Sequence, residues 1–424
     1  MTNLEQDAMA RLQAALYQAR EGMGAAAPPA EAADTPLVEL LDSMGMVDFL
    51  ALVAGAFGTT PGQIEECAGR EFTTIHELAS TLNAASLRPT REAELPCLRA
   101  QIELGQEKPA KGCWLCATSV RLPRRYQSAA EMNAALSQPA GWLEEHAGNR
   151  GRFLWSGEDP VLAASDAAKR CLTEANLSPE EVGALLVTSE APPMLIGLAA
   201  ALHDRIGLWP GAFAFEIGSA CTGFLAALRI GQSLLAQVGA VLIVALEAPS
   251  QYLKVKPGRG GEAAALFGDA AAACVLCQKP VGNDPIGLTD VWLATDSGAG
   301  ADCLVRVDRE GGELALTMHG SALAARAVRA LAQAAEAVTR RHGLSISQLA
   351  GLIIHGGNGR MPPLVARQLA LPSERVWSET ATTGNLGTVS LPAAWAARPK
   401  REAGPIVWAA VGAGLTFGAA LMKR

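Results

Sequence analysis

Apolar positions recur at helical spacing near the start of the chain and change period further on. Leu4, Met9, Leu12, Ala15 and Leu16 mark one amphipathic helix, and EGMGAAAPPAEAADTP behind it reads as loop. The pattern resumes in LVELLDSMGMVDFLALVAGAFG, where Met46, Phe49, Leu50, Val53 and Phe57 share a face and Ser43 falls at or just before the helix start. TTIHELASTLN predicts another short helix, and AASLRPTREAELP a linker. From about residue 110, short apolar runs of strand type alternate with Ala- and Leu-rich helices, which predicts a largely parallel α/β architecture.

That second region repeats itself. AAKRCLTEANLSPEEVGALLV (167–187) and AAEAVTRRHGLSISQLAGLII (334–354) share one form: an amphipathic helix, a stop at Asn176 or Gly343, a Leu-Ser pair, a one-turn helix and a buried strand. Each stop residue tolerates left-handed backbone. The body therefore reads as two similar α/β halves, and sites in such pairs form where the halves meet. The terminal run IVWAAVGAGLTFGAALM, 17 residues from Ile406 to Met422, just reaches the lower limit of a membrane span. Gly412, Gly414 and Gly418 divide it into two short segments, the pattern of two buried strands around a Gly-rich turn.

Charge separates the same two regions. Residues 1–90 carry twelve acids against four Arg and no Lys, a balance of −8, and the remaining 334 residues carry thirty acids and thirty-one bases, a balance of +1. An acidic module on a neutral body meets basic partners, which argues against nucleic acid as ligand. The nine cysteines are odd in number and scattered, and MTNLEQDAMA lacks a secretory pattern, so free thiols, no disulfide framework and a cytoplasmic location are expected.

Three glycine-marked junctions carry candidate chemistry. In FAFEIGSACTGFLAALRIG, Gly218 and Gly223 bracket Cys221 where a strand turns into a helix. A thiol there faces unpaired N–H groups and the positive end of the helix dipole, which favour thiolate and nucleophilicity. A free cysteine is otherwise most often a small core residue. In GLIIHGGNGR, His355 follows a buried strand, where open α/β sheets build sites, whereas His76, His203 and His342 read as surface or structural. In TATTGNLGTVSLPAAW, Asn385 stands between glycines ahead of a helix, a position that a simple cap would also explain. AVGAGLTFG adds glycine N–H groups suited to an oxyanion hole. The pair Cys113/Cys116 and Cys274/Cys277 has zinc-like spacing, but residues three apart on a strand face opposite sides, so no metal is expected.

Taken together, residues 110–424 resemble a thiolase-fold condensing enzyme of the β-ketoacyl-acyl carrier protein synthase III type, on SACTGF, HGGNGRM, GNLGTVSLPAA, LFGDAAAACVL and GAGLTFGAALM. The resemblance implies Cys221 as nucleophile, His355 and Asn385 as its catalytic partners, and the N–H groups of Cys221 and Gly414 as the oxyanion hole. It also implies a coenzyme A site at Trp142 of GWLEEHAGNRGR and at Arg360. Where that family commonly has an arginine four residues after the tryptophan, this chain has His146, a departure that bears on coenzyme A as donor. The acidic module resembles an acyl carrier domain, whose Asp-Ser-Leu signature stands here as Asp42-Ser43-Met44. Ser43 would carry a 4'-phosphopantetheine arm, although an N-cap serine would look alike.

The expected organisation is a small all-α carrier bundle at 1–85, a linker at 86–109 and thiolase-like halves at 110–280 and 281–424. The expected activity is decarboxylative Claisen condensation of a Cys-bound acyl group with a malonyl-type thioester, in fatty acid or polyketide-type biosynthesis. Expected partners are an acyl-CoA or acyl-carrier thioester, a malonyl-type thioester, a phosphopantetheinyl transferase and a second copy of the chain, with neither membrane nor nucleic acid. The alternative is acyl transfer to an alcohol or amine. Relatives of that kind tend to carry an acid where this chain has Asn385.

Overall fold

The computed structural model describes residues 3–23, 25–29, 32–57, 64, 74–84, 112–190, 197–258, 260–296, 305–310, 313–318, 320–398 and 404–423. They fall into two compact units, Met1–Glu103 with His319–Arg326, and Leu104–Met318 with Ala327–Arg424. The expected linker at 86–109 lies outside the described residues.

In the first unit α1 (Asn3–Gly22), α2 (Leu37–Leu40), α3 (Ser43–Phe57) and α4 (Ile75–Ala84) enclose an apolar core. Leu12, Ala15, Leu16 and Ala19 form the buried stripe of α1 and meet Phe49, Leu50 and Val53 of α3 with Leu78 and Leu82 of α4. Thr74 and Glu77 close a capping box ahead of α4, each side chain bonding the other's backbone N–H at 3.2 Å. Asp42 caps α3, its Oδ1 accepting from Met44 N at 3.0 Å and Gly45 N at 2.7 Å. Ser43 is the first residue of the helix.

The second unit contains β1 (Trp114–Arg121), β2 (Arg125–Ser128), β3 (Gly151–Leu154), β4 (Ala184–Thr188), β5 (Phe213–Ile217), β6 (Ala240–Glu247) and β7 (Ala270–Cys277). There follow β8 (Ile286–Thr295), β9 (Val305–Glu310), β10 (Glu313–Met318), β11 (Gly351–Ile354), β12 (Val376–Trp377), β13 (Ile406–Gly412) and β14 (Thr416–Lys423). Ten of these form one sheet in the order β12-β11-β13-β14-β8-β1-β7-β6-β4-β5. Read outward from the β8–β1 contact, both halves have the same order, so the repeat seen in the sequence is a repeat of topology. β1 and β8 join them through Trp114 opposite Gly287 and Leu115 opposite Ile286. Asn176 and Gly343 both take the left-handed conformation, and in each copy the next residue's N–H reaches back at 3.0 Å to a carbonyl five positions earlier.

The sheet corrects the expectation of largely parallel strands. Pairs β4–β5, β4–β6, β11–β12 and β11–β13 are parallel, whereas β1–β7, β1–β8, β6–β7, β8–β14 and β13–β14 are antiparallel. The three-residue turn Ala413–Leu415 between β13 and β14 has no room for a crossover, so those strands must run opposite ways. Apolar runs such as AVLIVALE and AAAACVLC do not report direction, because burial on both faces makes either kind of strand continuous in hydrophobicity.

Helices Gly223–Val238 and Ser390–Ala397 bury against one face of this sheet in a shared core. Phe224 and Trp395 both meet Trp408 of β13, with ring centroids 6.1 and 5.4 Å apart. Each helix begins at one of the glycine-marked junctions, so the shared core brings those junctions together. Cys113 and Cys274 belong to this face and Cys116 and Cys277 to the opposite one, as strand alternation requires. No described helix is long and apolar enough to cross a membrane.

Candidate active site

The Cys221 turn is strained and held from both sides. Ala220, the residue before it, has φ +43°, a region that non-glycine residues rarely enter and that structures tend to retain at functional sites. Thr222 Oγ1 donates to Ser219 O at 2.6 Å and meets Thr416 Oγ1 at 2.9 Å, tying the turn to the start of β14. The β13–β14 turn lies directly on it: a Cβ on Gly412 would stand 2.9 Å from Cys221 N. Gly414 has φ +102°, and nothing lies within 4 Å of the place where its side chain would begin. Its backbone therefore borders open space next to the cysteine turn.

His355 follows β11, its N–H bonded to Ala409 O at 2.9 Å, and its ring is buried. Nε2 lies 2.9 Å from Asn385 Oδ1, which also accepts from Gly387 N at 2.9 Å. The backbone N–H can only donate, so that amide atom is the oxygen and His355 must donate from Nε2. Burial, partly opposed by the Asn385 bond, pushes the His355 pKa down to about 4, so the ring is neutral at neutral pH. The Asn385 oxygen accepts from Gly387 N–H at the start of the turn Gly387–Val389 while also fixing the histidine tautomer.

The expectation of a thiolate at rest is corrected. Burial, together with the carboxyls of Glu190 and Glu247, pushes the Cys221 thiol well above its ordinary range. The helix N-terminus works against this. Neither glutamate was singled out from sequence. Both stand at the carboxyl ends of buried neighbouring strands, in LLVTSEA and LIVALEA, the same signal that marked His355.

Trp142, His146 and Arg360 form a separate cluster. The Trp142 and His146 rings stack with centroids 4.8 Å apart and planes 20° apart, and Arg360 Nη1 lies 3.5 Å from His146 O. His203 is bonded to Ala212 O and His342 to Asp290, structural roles as expected.

Comparison with known proteins agrees with this architecture. The family model of 3-oxoacyl-[acyl-carrier-protein] synthase III matches residues 215–297, and that of its C-terminal region matches residues 339–424. A 3-oxopimeloyl-[acyl-carrier-protein] synthase of Rhodothermus marinus is 30% identical over 335 residues, covering 74% of this chain and 94% of the relative. A β-ketoacyl-[acyl-carrier-protein] synthase III of Clostridium perfringens is 28% identical over 298 residues, covering 66% and 90%. The crystal structure of 3-oxoacyl-[acyl-carrier-protein] synthase III from Aquifex aeolicus superposes with a TM-score of 0.67 at 26% identity, covering 74% of this chain and all of that one. The priming β-ketosynthase of the R1128 polyketide pathway gives 0.65 at 25% identity, covering 74% and 97%.

Two five-stranded halves of equal topology, with a cysteine turn and a His–Asn pair on their shared core, define a thiolase-fold condensing enzyme. Within that class the chain belongs to the 3-oxoacyl-acyl carrier protein synthase III family.

Proposed function

We propose that the protein carries out the decarboxylative Claisen condensation of fatty acid or polyketide-type biosynthesis, with Cys221, His355 and Asn385 as its catalytic residues. Cys221 Sγ takes the acyl group from a donor thioester. A malonyl-type thioester then presents its carbonyl oxygen to the Asn385 amide N–H and to His355 Nε2–H, which the incoming oxygen shares with Asn385 Oδ1. As CO2 leaves, these two neutral donors hold the enolate oxygen, and the carbanion attacks the acyl-cysteine. The N–H groups of Cys221 and Gly414 would stabilise the tetrahedral oxyanion, an effect worth roughly 3 kcal/mol per donor. The observation that carries this reading is the Asn385 oxygen held by Gly387 N–H and facing His355 Nε2, which sets the Nε2–H and the Asn385 N–H group side by side. Intact mass measurement with acyl-CoA and acyl-carrier donors, together with CO2 release from malonyl thioesters, tests it.

In the same reading the first unit is an acyl carrier domain modified at Ser43. Asp42 takes the capping role, so Ser43 is not needed as a cap, and it opens a 15-residue helix whose N-terminus suits a phosphodiester. A phosphopantetheine arm there would supply a thiol for acyl groups in transit. A phosphopantetheinyl transferase with CoA should add the arm to the wild type and leave Ser43→Ala unchanged in mass. An unmodified wild type, or an arm on the variant, would remove the carrier assignment. Delivery by a carrier also suits the Trp142–His146 stack, which covers one face of the ring to which coenzyme A would otherwise bind. Arg360 beside it remains suited to a phosphate of either donor.

A homodimer through β5 completes the reading. β5 is an edge strand that exposes Phe213 and Phe215, their rings stacked 6.0 Å apart, beside Glu216. Wild type should sediment as a dimer, and Phe213→Lys with Phe215→Lys as a monomer. A dimer that survives both changes places the interface elsewhere.

A further inference from the structure

Two carboxyls that the condensing chemistry leaves unused stand beside Cys221. Glu190 follows β4 and Glu247 ends β6, its parallel neighbour, so both emerge at the sheet edge where the cysteine turn lies. Their surroundings differ. Glu247 Oε1 accepts from Thr388 N at 3.1 Å and Thr388 Oγ1 at 2.5 Å, and its Oε2 accepts from Glu190 N at 3.2 Å. Three donors anchor that group in one place. The Glu190 side chain instead faces the Cys221 side chain, while its Oε1 is buried with no partner among the described residues. Leaving a carboxyl oxygen buried and unpaired costs free energy, which a purely structural acid would recover by finding a donor. The titratable groups facing Glu190 are Cys221, Glu247 and Tyr252, whose hydroxyl donates to Glu190 O at 3.3 Å. None of the three is a cation, so the carboxylate is not neutralised by them.

We propose that Glu190 is the catalytic base that loads Cys221. As Sγ attacks the donor thioester carbonyl, the Glu190 carboxylate takes the Sγ proton. The bond from Sγ to the acyl carbon forms, the bond from that carbon to the donor sulfur breaks, and the electron pair leaves with the donor sulfur. Glu190 then returns the proton to that sulfur, releasing a thiol, with nothing oxidised or reduced. Burial raises the Glu190 carboxyl above its ordinary range, which makes it readier to accept the proton. The helix N-terminus then stabilises negative charge on sulfur only while it is attacking, which fits a thiol that is protonated at rest. The inference rests on Cys221 as the nucleophile.

The test is the rate at which Cys221 is loaded by short- and medium-chain acyl-CoA and acyl-N-acetylcysteamine thioesters, followed by intact mass from about pH 5 to 9, a range spanning carboxylate and thiol titration. Glu190→Gln keeps the shape and removes the base, and should slow loading on the order of 100-fold at neutral pH. Wild-type loading should rise with pH as Glu190 loses its proton, and in the variant that rise should move toward the titration of the thiol itself. Glu190→Asp should fall between. If Glu190 is only a repelling neighbour, Glu190→Gln loads as fast as wild type or faster, and the proposal is wrong. A wild-type rate flat across the range overturns it too, even should the variant fail to fold. Wild type that loads no acyl group on Cys221 overturns the nucleophile reading itself, a separate outcome from loading that ignores Glu190.

Discussion

Cys221→Ala should reduce acyl loading to background while the protein stays folded. The sulfur is the only atom in the proposed cycle that becomes covalently bonded to the acyl group, and no neighbouring side chain can replace it. Glu247 is anchored by three donors, and an acyl group taken by Glu190 would form a mixed anhydride too labile to accumulate. The structural cost is small, because Ala keeps the backbone and Cβ of the turn and no charge is lost with a thiol that rests protonated. The expected change in stability is within about 1 kcal/mol. Intact mass of wild type and variant after exposure to acyl donors, with thermal unfolding of each, checks both halves of the statement. Acyl group held stably on another cysteine, with Cys221 unmodified, would end the assignment.

Asn385→Asp should impair malonyl decarboxylation far more than loading of Cys221. The change replaces an N–H donor with a carboxylate at the point where the enolate oxygen gathers charge, and loss of one such donor costs on the order of 100-fold in rate. The oxygen bonded to Gly387 N and facing His355 Nε2 can be kept by an Asp, so the turn and the histidine tautomer should survive. A buried carboxylate so close to the ring would also favour His355 protonation, raising a pKa that burial now holds near about 4. The measurement is CO2 release from malonyl thioester beside the acyl-enzyme rate, in wild type and variant. Wild type that releases no CO2 from any malonyl carrier, yet passes its acyl group to alcohols or amines, would replace condensation by acyl transfer.

Much of this site was legible in the chain because its parts are local. Cys221, His355 and Asn385 each sit at a strand end or turn marked by glycine, and such junctions are written in a few adjacent residues. Asn176 and Gly343 could be read as helix stops for the same reason: left-handed backbone restricts the choice of residue wherever it occurs. Glu190 and Glu247 carried the strand-end signal without the glycines. As single acids after apolar runs they resembled ordinary surface charges, and only the packing of β4, β6 and the Thr388 turn makes them a buried pair beside a thiol.

The sequence by itself determined the helices of the first unit, the two matching α/β halves and the residues at their junctions, since periodicity and turn chemistry act over one or two turns of chain. Only the tertiary structure decided which strands pair and in which direction, which His355 nitrogen carries the proton, and that Cys221 rests as a thiol. Strand pairing, desolvation and charge repulsion are set by groups far apart in the chain, and their distances exist only once the core has closed.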